Sequence, residues 1–241
     1  MTLVLQKGRL RARQSKTTED IAKALSLRAL AFGCDDRDAL DDLCAHILIE
    51  NEVSGEVLCC FRMLSLQGKE MAKSYSAQFY ELSALERFDG PMVELGRFCT
   101  HPCHSNDPDV LRLAWGAMTA FVDAHQVELL FGCSSFAGTE TASYLDSFAM
   151  LKERHLAPKR WLPRVKAPNV FRYAAVLRNR PDMKRAMRAM PPLLRTYLLM
   201  GGWVSDHAVV DEKMNTLHVF TGVEISAIPD ARKRLLRAVV G

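Results

Sequence analysis

No stretch of this chain approaches the roughly 20 consecutive apolar residues that a membrane-spanning helix needs. The first residues, MTLVLQKGRLRAR, lack the apolar run of a secretory signal and read as an opening strand. The seven cysteines are odd in number and follow no disulfide spacing, and Cys59 and Cys60 are adjacent inside an apolar run. Reduced thiols in a cytoplasmic protein are the expectation. There are no internal repeats and no low-complexity segments, so solenoid and disordered classes are excluded. What remains is 241 residues, 49% apolar and 25% charged, an ordinary globular composition with length enough for a sizeable core. A single domain over 1–241 is expected, with a core over 1–155 and an extension over 156–241 that completes the fold.

The net charge is only +4, but it is unevenly placed. From Lys152 to Arg188 there are twelve Lys/Arg against Glu153 and Asp182, whereas acids gather in CDDRDALDD at residues 34–42. Such asymmetry suits an acidic partner: a nucleic acid, an anionic membrane or an acidic carrier protein. No helix-turn-helix or zinc-finger spacing supports the first of these.

Residues 3–13 alternate apolar and basic, as an edge strand would. TTEDIAKALSLRALAF carries a helix start at Thr17 or Thr18, acids in its first turn, and apolar Ile21, Leu25 and Leu27. CAHILIEN, GEVLCCFRML and PMVELGRFCT read as strands, and a hairpin turn at VSG joins the first two. DPDVLRLAWGAMTAFVDAHQ is an amphipathic helix, VELLFGCSS a buried strand, and TETASYLDSFAMLKERH a further helix. The order β-α-β-β-β-α-β-α is α+β, a mixed sheet flanked by helices. Beyond residue 155, PDMKRAMRAMPPLLRTYLLMGG gives one or two short helices, HAVVD and NTLHVFTGVEISA strands, and ARKRLLRAVVG a basic tail.

The stretch VELGRFCTHPCH, residues 93–104, offers two chemistries. Its end holds Cys99, His101, Cys103 and His104, packed too closely for all four to reach one ion. Zinc sites pair two distant ligand pairs, and Pro102 interrupts the strand. Its beginning holds Glu94 and Arg97, which strict alternation points to opposite faces. Gly96 between them is a candidate bulge that would re-aim one side chain and free backbone groups. A buried structural ion pair is the alternative reading of the same residues.

Several segments, taken in order, resemble one family. VELGRFCTHP, LRALAF with Arg28 and Phe32, DALDDLCAHILI, CCFRML with Arg62, LLFGCSSFAGTE, HLAP, and PPLLRTYLLMGGWVSDHAVVD together cover nearly the whole chain. They resemble the ornithine–acyl carrier protein N-acyltransferases, relatives of the acyl-homoserine-lactone synthases within the GCN5-related N-acyltransferase superfamily. The resemblance implies a mixed, mostly antiparallel central sheet flanked by helices, with an added C-terminal helix and strand region. It implies the first step of ornithine-lipid synthesis: a 3-hydroxyacyl chain passes from acyl carrier protein to the α-amine of ornithine. Glu94 would be the general base, because burial raises a carboxyl pKa. Gly96, Phe98, Cys99, Ser134 and Ser135 would line the oxyanion and donor region. Arg97 and Arg62, with Arg28, suit a substrate carboxylate or phosphate, and Asp41 or Asp42 a substrate ammonium.

The turn HPCHSNDPDVLRL holds no glycine and two acids, so it suits a coenzyme pyrophosphate poorly. That favours a carrier-bound phosphopantetheine thioester as donor, with no bound cofactor and no metal. The basic Lys152–Arg188 stretch would dock acidic carrier protein or an anionic membrane, and peripheral placement at the inner membrane follows from the second option. Where the family often has an aspartate, this chain has His218; if that aspartate holds the δ-ammonium of ornithine, His218 is a poor substitute and glutamine is an alternative acceptor. Cys133 and Ser134 in GCSSF lack a nucleophile elbow, which argues against an acyl-enzyme.

Overall fold

A computed structural model describes residues 3–105 and 107–238. In chain order it contains β1 (Val4–Lys7), β2 (Leu10–Gln14), α1 (Thr18–Phe32), β3 (Ala45–Asn51), β4 (Val57–Leu66), β5 (Tyr80–Glu81), β6 (Met92–Thr100), α2 (Pro108–Ala124) and β7 (Leu129–Ala137). Then come α3 (Leu145–Arg154), β8 (Arg164–Val165), β9 (Val170–Phe171), α4 (Tyr173–Val176), α5 (Met183–Ala189) and α6 (Pro192–Leu199). β10 (Trp203–Val204), β11 (Ala208–Asp211), β12 (Thr216–Glu224) and α7 (Asp230–Arg237) complete it.

The chain divides into two compact units. The first comprises residues 1–65, 93–127 and 230–241. Its strands run in the order β1-β2-β3-β4-β6, and the first four pair antiparallel. The expected single edge strand over 3–13 is instead a hairpin, because Gly8 at φ 59 turns the chain between Lys7 and Leu10. α1 is capped by Thr17, whose hydroxyl accepts from Asp20 N–H while the Asp20 carboxylate accepts from Thr17 N–H. This reciprocal capping satisfies two amides that the helix geometry leaves without partners. Ala24 and Leu27 of α1 pack on Leu48, Val57, Cys60 and Cys99, so one sheet face is covered by this helix. α2 starts at Asp107, which accepts from Asp109 and Val110 N–H. The basic tail is helical: α7 lies against α2, and Arg237 donates to Asp123 at 2.9 and 3.0 Å.

The second unit comprises residues 66–92 and 128–229. β7, β12, β11 and β9 are consecutive neighbours and all antiparallel, with β10 also on β12. A small separate sheet joins β5 to β8. Phe136, Leu217 and Val219 on one sheet face meet Phe148 and Leu151 of α3, Ala186 of α5 and Leu194 of α6. The helix expected over 139–155 starts only at Leu145, after a 3₁₀ turn over Thr141–Tyr144. α5 and α6 are two helices because Met190 and Pro191 fall between them; Pro192 opens α6, where its missing N–H loses nothing.

Candidate active site

β6 does not keep one alternation along its length. Gly96 lies over Arg62 of β4, since a Cβ there would sit 3.4 Å from Arg62 Nε. Cys99, three residues on, has its sulfur 3.5 Å from that of Cys60. Arg62 and Cys60 share a face of β4, two positions apart. In a regular strand, residues three apart face opposite ways. The phase is switched by Arg97, which sits at φ 56 in the left-handed region. The irregularity expected at Gly96 therefore lies one residue later. A non-glycine residue rarely holds that conformation unless its surroundings over-determine it. Here the determinant is a set of ion pairs: Arg97 Nε lies 2.6 Å from Asp36 Oδ2, and Arg97 Nη2 donates to Asp38 Oδ2 at 3.2 Å.

Those aspartates belong to a buried network of three arginines and three carboxylates. Arg28, 1% exposed, donates to Asp36 Oδ1 at 2.9 Å and to Asp41 Oδ1 at 2.5 Å. Arg62 donates to Asp41 Oδ1 and Asp38 Oδ1, each at 2.7 Å, and to Asp38 Oδ2 at 2.8 Å. Arg28, Arg62 and Arg97 thus balance Asp36, Asp38 and Asp41, which is what permits Arg28, Arg62, Asp36 and Asp41 to be withdrawn from water together. Burial pushes the Asp41 carboxyl up, but hydrogen bonds from Arg28, Asp38 N–H and Arg62 more than offset it, and it settles at about 2. Asp38 is held low in the same way, burial being outweighed by Arg62 and Arg97. His46 donates Nε2–H to the Asp41 carbonyl at 2.8 Å, and burial pushes its pKa down.

Glu94 is 4% exposed, two residues before Gly96 and on its face of β6. Its charge reaches Cys44, the residue before β3. Burial pushes the Cys44 thiol up to about 12, opposed by Arg62 and reinforced by Glu94, Asp41 and Asp38. Cys44 is therefore a protonated thiol at neutral pH. Gly96, Arg97 and Phe98 are only half-buried, and Phe98 stacks on Phe61 at 5.5 Å. A buried carboxylate on the strand leading into a left-handed residue, beside a charge-balanced network, can accept a proton next to a backbone whose amides are re-aimed.

The structure thus brings Glu94, Gly96, Arg97, Arg62, Arg28 and Asp41 into one neighbourhood. Asp42 is exposed and stands outside the network. Cys99 is buried against Cys60. The sequence reading left out Asp36 and Asp38 as site residues; the signal was the acidic run CDDRDALDD, whose charge needed arginines from three other elements to become visible as a network. In the second unit, Ser134 and Ser135 point to opposite faces of β7. Ser134 is buried and accepts from Thr221 Oγ1 at 2.9 Å, while Ser135 is exposed opposite His218. His218 is 2% exposed, with Nδ1 at 3.1 Å from the Tyr80 hydroxyl, which donates to the His218 carbonyl at 2.8 Å. Burial pushes the His218 pKa down to about 4, so the ring is neutral near pH 7. Its Nε2 is buried without a hydrogen-bond partner among the described residues. His101 and His104 flank a 3₁₀ turn at 3.7 Å from Glu56 and Asp107 respectively. Among the described residues, no three His, Cys, Asp or Glu side chains gather as a metal-binding group.

A family model described as an acetyltransferase (GNAT) domain matches residues 25–115, the span that holds this network and Glu94. Two solved structures share the fold: FeeM, an N-acyl amino acid synthase from uncultured soil microbes (TM-score 0.56, 9% identity, 94% of this chain and 99% of that one), and the loading GNATL domain of CurA from Lyngbya majuscula (TM-score 0.51, 13% identity, 91% and 99%). The fold and site define a GCN5-related N-acyltransferase, an α+β protein whose large sheet is mostly antiparallel and flanked by helices. An L-ornithine N(alpha)-acyltransferase of Rhodobacter capsulatus is 33% identical over 202 residues, covering 81% of this chain and 77% of that protein. The Brucella abortus enzyme of the same name is 28% identical over 80% of this chain and 71% of that protein. The chain belongs to the L-ornithine N(alpha)-acyltransferase family.

Proposed function

We propose that this chain, working as one N-acyltransferase domain, moves a 3-hydroxyacyl group from the phosphopantetheine thioester of acyl carrier protein to the α-amine of ornithine, giving a lyso-ornithine lipid. The observation that carries the reading is buried Glu94 on β6, leading into left-handed Arg97 above the arginine–aspartate network. The relatives' name supplies the acceptor. The amine nitrogen attacks the thioester carbonyl and Glu94 takes its proton. The oxyanion is met by amides of the irregular 96–98 segment. The C–S bond then breaks and the thiol leaves as a thiolate, which needs little protonation help because a thiol pKa is about 8.5. The network beneath is electrically balanced, so it suits a zwitterion. In this reading the acceptor meets the network at Asp38, its most open member, 26% exposed at its side chain.

One observation favours a second acceptor. This chain carries His218 where a carboxylate could have met a δ-ammonium, and that ring is neutral and buried against Tyr80; glutamine is therefore the alternative acceptor to ornithine. A single-turnover assay tests both readings. The protein is mixed with 3-hydroxyacyl carrier protein and either amino acid, and carrier thiol release is followed beside Glu94→Gln. Release with one acceptor, slowed at least 100-fold in Glu94→Gln, is expected from the usual worth of a general base, about 10²–10⁴-fold. No release with either acceptor would sink the reading.

A further inference from the structure

One face of the second unit is basic and holds none of the residues to which the proposed acyl transfer assigns a role. Residues 176–189 carry Arg178, Arg180, Lys184, Arg185 and Arg188 against Asp182, a net +4 that equals the net charge of the whole chain. All five cations are exposed. Arg185 lies 3.7 Å from Asp146, whereas Arg178, Arg180, Lys184 and Arg188 make no ion pair among the described residues. Asp182 is occupied as the cap of α5, accepting from Lys184 and Arg185 N–H.

These residues form one surface because α3 organises them. Lys152 Nζ donates to the Leu177 carbonyl at 2.5 Å, and Ser147 Oγ donates to the Ala186 carbonyl at 2.9 Å. The two anchor points are five residues apart on α3, about 7.5 Å along its axis. Ala186 faces the core, so Lys184, Met187 and Arg188 lie outward at i, i+3 and i+4. Met187 is 38% exposed and Val176, beside the other anchor, 56%. Apolar side chains projecting among unpaired cations suit the headgroup boundary of an anionic bilayer. There the cations meet lipid phosphates and the apolar tips enter the acyl region.

We infer that the face built by residues 176–189 on α3 docks this protein onto an anionic membrane surface. The inference stands apart from the choice of acceptor, and vesicle binding is measured without any turnover.

The test is co-sedimentation with vesicles of equal parts phosphatidylcholine and phosphatidylglycerol, against phosphatidylcholine alone. The unmodified protein is expected to bind only the anionic vesicles and to be released by high salt. A cation near such a surface contributes about fivefold in partitioning, so Arg178→Gln/Lys184→Gln/Arg188→Gln should weaken binding about 100-fold. Val176→Ser/Met187→Ser should weaken it severalfold while leaving the salt dependence intact. Failure of the unmodified protein to bind, or equal binding by the triple variant, would overturn the inference. So would a triple variant that binds vesicles normally but has a raised KM for acyl carrier protein, which would assign the face to the carrier. The salt titration on unmodified protein decides the electrostatic part even if a variant folds poorly.

Discussion

Replacing Asp41 with asparagine removes one negative charge from the buried network while keeping the side chain's shape. Asp41 is 1% exposed and accepts from Arg28 at 2.5 and 3.3 Å, from Arg62 at 2.7 Å and from Asp38 N–H at 3.1 Å. After the change, three arginines face two carboxylates, and an amide N–H₂ is turned toward guanidinium donors. The native carboxyl titrates at about 2 instead of 3.8. At roughly 1.4 kcal/mol per unit, that difference corresponds to about 2.5 kcal/mol. Breaking a buried pair by removing one partner is typically worth about 3–5 kcal/mol. A loss of about 3 kcal/mol at pH 7 is therefore expected, read by urea unfolding followed by circular dichroism. The sign with pH is fixed: the native pKa is depressed, so the stabilisation is fully present above about pH 4 and is lost as pH falls toward 2. The gap between the native protein and Asp41→Asn should close over that window. A loss below about 1 kcal/mol at pH 7, or a gap that persists at pH 2, would refute the account of the network as charge-balanced and mutually dependent.

Arg97→Gly and Arg97→Ala both lose the contacts to Asp36 and Asp38, but only glycine relaxes the φ of 56. Arg97→Gly should be more stable than Arg97→Ala by about 1 kcal/mol in the same unfolding assay, with turnover impaired in both. Equal stability would mean that the left-handed backbone is not retained. His218 titrates at about 4 in the native state, below the ordinary 6.5, so the folded protein binds fewer protons than the unfolded chain between those values. Stability should fall by about 3 kcal/mol as pH drops from 6.5 to below 4. His218→Gln should flatten that part of the profile, and an unchanged slope would show that the ring is not buried neutral.

Much of the fold was legible in sequence because local chemistry decided it. Thr17 with Asp20, Asp107 with Pro108, and Pro191 with Pro192 mark helix starts through hydrogen bonds and φ restrictions that operate within a few residues. The alternating and continuous apolar runs of β3, β4 and β7 carry their own period. The sequence was misleading where a single backbone angle mattered. Gly8 turns an apparent edge strand into a hairpin, and the bulge assigned to Gly96 belongs to Arg97. Gly96 is the easier residue to bend, yet the left-handed angle falls on Arg97, whose side chain is tied to Asp36 and Asp38.

The sequence by itself therefore determined the family, the α+β class and the candidacy of Glu94, Arg62 and Arg97, since these rest on residue types and spacing along the chain. Only the tertiary structure decided what those residues meet. α1, the acidic loop, β4 and β6 each bring charges that would be solvated separately, and their mutual burial forces them into a balanced network. That burial also holds Arg97 in a conformation its side chain disfavours. No local pattern encodes either outcome, because each depends on charges that lie up to about 70 residues apart in sequence and meet only when the sheet closes over the helix.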